Sequence, residues 1–444
     1  VINFLSLKSM DSFAILAKNI TTLNLLKNTI TYVGTTEGAN INNAVRVEGG
    51  RNVTMSDNVY NIIMPSVDVK YDLNYNLEAF SEGIVFLTCE NVTLTRNNIK
   101  LNYSGISGSS DTIYVVTIGN ANMNYTDFTF PNVCKNVVVS DNNITANGHG
   151  YIYSMSIVAD EFELTNNNFD ITAEANYANA IAVGGPSSNG KVSGNVIEIT
   201  APNVVYGIYA YQLMGPIENV TYSDNIITGN AYAACGFEIV MKNPVISDNK
   251  ITLNGNHTVA IVANSLDEGT ISGNQINSLG SNIGNQSTGD SMIHMESAGI
   301  SVKGDWDISD NSINSTSIGV NLILGGDIDL EDNVINVIAK GETDNYAVYA
   351  KGMDELTMSG NIVNFVGNVN ENITSNGIYV FSSNGVHIFD NELNLNLVSA
   401  FVPWIEEPPG SWNYVRHAKS SGIVVVNSED VIFASNNVAT TFVD

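Results

Sequence analysis

Residues 304–324 read Gly-Asp-Trp-Asp-Ile-Ser-Asp-Asn-Ser-Ile-Asn-Ser-Thr-Ser-Ile-Gly-Val-Asn-Leu-Ile-Leu, and residues 327–337 then read Asp-Ile-Asp-Leu-Glu-Asp-Asn-Val-Ile-Asn-Val. Asn311 and Asn333 hold the same place in the two copies. Before each lie two apolar residues at alternate positions, and after each the alternation resumes. Alternation of this kind describes a strand with one buried face. The pattern recurs along the chain with Asn28, Asn58, Asn97, Asn142, Asn167, Asn195, Asn225, Asn249, Asn274, Asn311, Asn333, Asn361, Asn391 and Asn436 as its key residue.

Two places after the key Asn an apolar residue stands in every copy, from Ile30 and Tyr60 to Leu393 and Val438. Five and three places before it the residues are usually apolar too, as in Val53 and Met55 or Val92 and Leu94. A further alternating segment lies upstream, often opened by glycine: Gly83-Ile-Val-Phe, Gly207-Ile-Tyr-Ala-Tyr, Gly377-Ile-Tyr-Val-Phe. Each repeat therefore holds about three short strands, named here strands one, two and three, with the key Asn between two and three. The shortest interval, from Asn311 to Asn333, approaches the least that three strands and three corners require. One strand per sheet per circuit makes neighbouring coils pair in parallel. The expected fold is all-β: a right-handed parallel β-helix, a three-sheet solenoid of about 14 coils, forming a single elongated domain over residues 1–444.

The residue before the key Asn is mostly Asp, Asn or Gly, the types that tolerate a left-handed backbone. That residue is expected to turn the corner and to aim the Asn inward. Stacked amides there would form a ladder like those of cross-β structures.

Charged residues make up 14% of the chain and the net charge is −28, with only 17 Lys and Arg. Such a surface repels nucleic acid and anionic membranes. No stretch is long and apolar enough to span a bilayer. The chain begins and ends inside the repeat, so a fragment of a longer protein is expected, with any membrane or cell-wall anchor carried by missing segments. Of the three cysteines, Cys89 and Cys134 each lie eight residues before a key Asn. In register they would stand on adjacent coils at about the strand spacing, which allows a disulfide. Cys235 has no in-register partner. Sequons from Asn19 to Asn372 would accept glycans on a secreted protein.

Departures from a repeat are where solenoids carry function. Insertions are expected at about 64–82, 119–136, 279–298 and 399–421. The last contains Trp404, Glu406, Glu407, Trp412, Tyr414, Arg416 and His417. Aromatic rings beside a guanidinium and carboxylates suit sugar stacking or a protein partner; equally, the loop would fold its tryptophans against the side of the solenoid. No zinc spacing, phosphate loop or dinucleotide fingerprint is present. No cofactor is called for, although Ca²⁺ would suit so acidic a chain.

The register Ser-Asp-Asn-x-Ile, as in Ser223-Asp-Asn-Ile-Ile and Ser309-Asp-Asn-Ser-Ile, with Gly-Ile-x-Val upstream, resembles the repeats of pectin-lyase-like parallel β-helices. With an Asn-rich, Lys-poor composition it looks most like the large adhesin-like surface proteins of methanogenic archaea. The resemblance implies an extracellular, cell-surface protein that contacts glycans or partner-cell surface proteins. Its rival is a polysaccharide lyase or glycoside hydrolase of the same fold, which needs an Arg or Lys base or paired carboxylates. Gly148-His149-Gly150 is similar to an element of polygalacturonases, but the companion Asn-Thr-Asp, Asp-Asp and Arg-Ile-Lys elements are absent. No catalytic residue is carried over.

Overall fold

The computed structural model describes residues 1–5, 11–34, 41–65, 80–104, 112–119, 132–211, 215–281, 297–340, 344–367, 373–398 and 419–443. Among these, every regular element is a strand and none is a helix. The strands pair in parallel from coil to coil, as in a parallel β-helix. The chain divides into two compact units, Val1–Lys250 and Ile251–Asp444, and each is described by itself.

The inward columns explain the apolar positions of the repeat. In the first unit Ile30, Tyr60, Ile99, Ile144, Phe169, Ile197 and Ile227 meet in register along strand three and are fully buried. In the second unit Ile276, Ile313, Ile335, Val363 and Leu393 form the equivalent column. Side chains of period two point alternately inward and outward, so each inward residue stacks on its counterpart one coil away. Among the described residues Trp306 is the largest buried side chain, and its indole N–H donates to the Lys303 carbonyl at 2.9 Å. Space for its ring exists because Gly269, its partner one coil earlier, carries no side chain.

The corner before strand three is built as the sequence predicts. Every residue preceding a key Asn has a left-handed backbone, with φ from 53° at Arg96 and Asp332 to 67° at Gly194 and Gly273. Lys27, Arg96 and Ser435 adopt it as well, so the geometry of the corner overrides their preference. A second left-handed column, which the pattern of the repeat does not announce, sits six places before the key Asn. It includes Asn91, Asn136, Glu161, Asn189, Asn219 and Asn243.

The key amides form the expected ladder. In the first unit each side-chain N–H₂ donates to the next amide oxygen from Asn28 through Asn58, Asn97, Asn142, Asn167, Asn195 and Asn225 to Asn249, at 2.9–3.1 Å. In the second unit the ladder runs from Asn274 through Asn311, Asn333, Asn361 and Asn391 to Asn436. The backbone N–H beside each amide donates to the same oxygen, as from Asn142 to Asn167 at 3.1 Å. The second side-chain N–H reaches a carbonyl of the preceding coil, as from Asn142 to Leu94 at 2.7 Å. These amides thus leave water without leaving donors or acceptors unpaired.

Two expectations are corrected. Strands do not always break at the corners: Asn143–Ile157 and Asn168–Gly184 each carry strand three on into strand one, and His257–Ser272 carries strand one on into strand two. Cys89 and Cys134 do stand on adjacent coils, but as buried free thiols rather than a disulfide. Parallel, in-register side chains lean the same way. The Cys89 thiol points at the Val47 and Leu87 carbonyls and the Cys134 thiol at the Phe86 carbonyl, and the Cys134 sulfur accepts from the Cys89 backbone N–H at 3.4 Å. The Cys235 thiol is buried and points at the Phe237 carbonyl. The insertions fall largely outside the described residues.

Candidate functional site

Strand one is bent, and the bend makes a groove. In a straight strand residues three apart point to opposite faces. Here Tyr206 and Tyr209 bring their rings to 5.5 Å, and Tyr346 and Tyr349 theirs to 5.0 Å. The cause is local. Pairing skips one position in each coil, between Glu82 and Ile84, between Tyr206 and Ile208 and between Tyr346 and Val348. The skipped residue is often glycine. A Cβ at Gly83 would stand 2.5 Å from the Val115 carbonyl oxygen, and one at Gly207 2.7 Å from that of Gly236. Close approach of the backbones at the bend therefore favours glycine there. This is the glycine that opens strand one in the repeat.

In the first unit, one bank of the groove carries Asn43, Glu82, Tyr114, Tyr153, Asn179 and Tyr206 in register. The facing bank carries Arg46, Val85, Thr117, Ser156, Ala182 and Tyr209. The tyrosines form a run along it: Tyr114 stacks on Tyr153 at 5.0 Å, Tyr153 meets Tyr177 at 5.5 Å, and Tyr177 meets Tyr206 at 5.4 Å. Burial holds the Tyr177 hydroxyl well above its ordinary pKa, so it is a neutral donor. Buried Asn179 donates to that hydroxyl at 3.4 Å, while its side-chain oxygen has no hydrogen-bond partner.

Charged groups gather at the other end of this groove. Arg46 bonds Glu48 at 2.5 Å and Asn43 at 3.2 Å, and Lys18 bonds Glu48 at 2.8 Å. Burial opposes ionisation of Glu48, but its bonds to Lys18 and Arg46 prevail and hold its carboxyl below the ordinary range. Glu82 is the opposite case. Burial pushes its carboxyl up, against the weaker opposing pull of the Thr117 hydroxyl, which donates to it at 3.0 Å, of Arg46 and of Asn43. Beyond the groove His149 bonds Glu174 at 2.6 Å, where the register between their strands shifts by one residue.

In the second unit the same two banks are more apolar. Val259, Ala298, Ile318 and Tyr346 form one buried cluster, with Val262, Tyr349 and Tyr379 packed against it. Tyr349 stacks on Tyr379 with centroids 5.6 Å apart and ring planes within 7°.

Comparison with protein-family models, with curated proteins and with solved structures found no match. The site therefore rests on its own geometry. Trp404, Glu406, Glu407, Trp412, Tyr414, Arg416 and His417, the binding loop expected from sequence, lie outside the described residues. Among the described residues no group of three or more His, Cys, Asp or Glu side chains is placed to hold a metal ion. A period-two reading treats each strand as straight and so does not reveal the tyrosine groove. Its signal is present all the same, in Tyr206-Gly-Ile-Tyr209 and Asn376-Gly-Ile-Tyr379, where a small residue lies between outward groups three apart.

Proposed function

We propose that this chain is a surface-displayed binding module, similar to the adhesin-like proteins of methanogenic archaea, which contacts glycans or partner-cell surface proteins in an extracellular setting. The observation that carries this reading is the run of touching tyrosines from Tyr114 to Tyr209 along one groove, in which Tyr114, Tyr153, Tyr177 and Tyr209 are partly exposed around a buried Tyr206. Tyrosine offers a rigid apolar ring and a polar tip at small entropic cost, the combination that carries binding energy at recognition surfaces. A groove whose lining repeats coil after coil suits an extended ligand. The net charge of −28 disfavours polyanionic ones.

A polysaccharide-active enzyme is the second reading, favoured by the placement of Arg46 between Glu48 and Glu82 at the groove's end. A base would have to come from Arg46, which is engaged by Glu48, and an acid from Glu82, whose carboxyl burial pushes above its ordinary pKa. The test pairs glycan-array and whole-cell binding with reducing-end release from polysaccharides. Tyr153→Ala with Tyr209→Ala should weaken binding at least tenfold, and Trp404→Ala with Trp412→Ala measures the loop separately. Equal binding by parent and tyrosine variant discards the groove. Turnover that disappears in Glu82→Gln establishes the enzyme instead.

A further inference from the structure

The outward face of strand three in the second unit is nearly uncharged although the chain is acidic. It is formed by Gln275–Gly280, Ser312–Ser315, Val334–Ile338, Ile362–Val366 and Glu392–Val398, and Glu392 is the single charged residue in all five. The strand-two face of the same unit carries Asp305, Asp307, Asp327, Asp329, Glu331 and Glu355. Along the middle of the neutral face runs a second amide ladder. Asn314 donates to Asn277, Asn336 to Asn314, Asn364 to Asn336 and Asn394 to Asn364, at 2.8–3.0 Å. Apolar side chains flank it: Ile338 is 60% exposed, and Ile362 and Val366 are each 38% exposed.

We propose that this face docks a second copy of the chain, face to face, through Val334, Asn336 and Ile338 on one coil and Ile362, Asn364 and Val366 on the next. Three arguments select that occupant. The strands are parallel and in register with like residues stacked, the arrangement in which identical sheets interdigitate as a dry zipper with amide ladders inside. The amides already bond along their own row, so covering them leaves few polar groups unpaired. A second copy also repeats at the same strand spacing of about 4.8 Å by construction. Between chains of net charge −28, a nearly uncharged face is one through which two copies approach without facing carboxylates.

The face spans about 20 Å by 15 Å at ordinary strand spacings, well below the ~800 Å² per partner of a standard interface. The association is therefore weak and depends on concentration. The test is sedimentation equilibrium over rising protein concentration at low and high salt. The dimer fraction should grow with concentration and with salt, because salt screens the repulsion between acidic chains. Ile338→Lys with Ile362→Lys should remain monomeric throughout while keeping the parent circular dichroism and melting temperature. Leu16→Lys, at an exposed apolar site in the first unit, should dimerise like the parent. A parent chain that is monomeric under every condition overturns the proposal, as does a dimer that survives both lysines. A monomeric parent held by an insoluble polysaccharide, with the double-lysine variant released, assigns the face to a polymer and overturns it equally.

Discussion

The side-chain amide of Asn142 donates to the side-chain oxygen of Asn167 across 2.9 Å, although 25 residues separate them in the chain. Asn167 in turn donates to the Val139 carbonyl and to Asn195, each at 3.0 Å. One amide thus receives from one neighbouring coil and gives to two.

Replacing Asn167 by Ala strands the side-chain and backbone donors of Asn142 inside the corner. An unsatisfied buried group costs about 1–3 kcal/mol, so Asn167→Ala should destabilise by at least about 2 kcal/mol. Asn167→Asp should cost more, because it keeps the acceptor but buries a charge. Denaturant midpoints measure both, and hydrogen exchange at the Asn142 amide locates the damage. Unchanged protection there would refute the ladder's role.

Gly190 has an ordinary backbone but lies in register with Phe162, and a Cβ at Gly190 would overlap that ring. Gly190→Ala should therefore cost about 1–3 kcal/mol through overpacking. Adding Phe162→Leu should return part of the loss, since the two residues share one space. Additive losses in thermal unfolding would show that they do not.

Burial raises the Glu82 carboxyl pKa above its ordinary value. The folded state then binds the proton more tightly than the unfolded chain. The stabilisation is complete below the ordinary carboxylate range and is lost as pH rises through the folded pKa. Glu82→Gln mimics the protonated form and should gain stability relative to the parent as pH increases from about 4 toward neutrality. A constant difference across that interval would mean that Glu82 titrates normally.

Arg96 occupies a left-handed corner position and bonds Asp57 through Nε at 2.8 Å and Nη2 at 2.9 Å. These bonds, with the Ser56 hydroxyl, lower the Asp57 pKa to about 2. Arg96→Asn keeps a residue suited to the backbone while removing the guanidinium. Asp57 should then titrate close to an ordinary aspartate by NMR. The pair is exposed, so the melting temperature should hardly move.

The fold was legible because its signals are redundant. A key Asn, an apolar residue two places later and a left-handed corner residue recur in each coil, so the irregular Lys27 or Ser435 does not obscure the register. The groove was less legible. Whether Tyr206 and Tyr209 face each other depends on a bend of the backbone at Gly207, and a period-two reading assigns them to opposite faces. The pairing of Arg46 is not legible either, because Glu82, its neighbour across the groove, comes from the next coil. That neighbour lies beyond an insertion whose length hides the register. The second left-handed column was hidden for a related reason: Glu161 occupies the same corner place as Asn91 and Asn219, so residue type alone does not mark it.

The ladder also bears on how such a chain changes size. Each amide bonds the equivalent amide one turn away, whatever the number of residues between them: 22 from Asn311 to Asn333, 45 from Asn97 to Asn142. Excising or duplicating the segment between two corresponding asparagines would leave every remaining rung with a compatible neighbour. Genetic gain or loss of whole windings is therefore structurally cheap, whereas a shift of one residue within a winding turns the interior outward. Loops and length are free to vary between descendants of this sequence while the cross-section is held fixed.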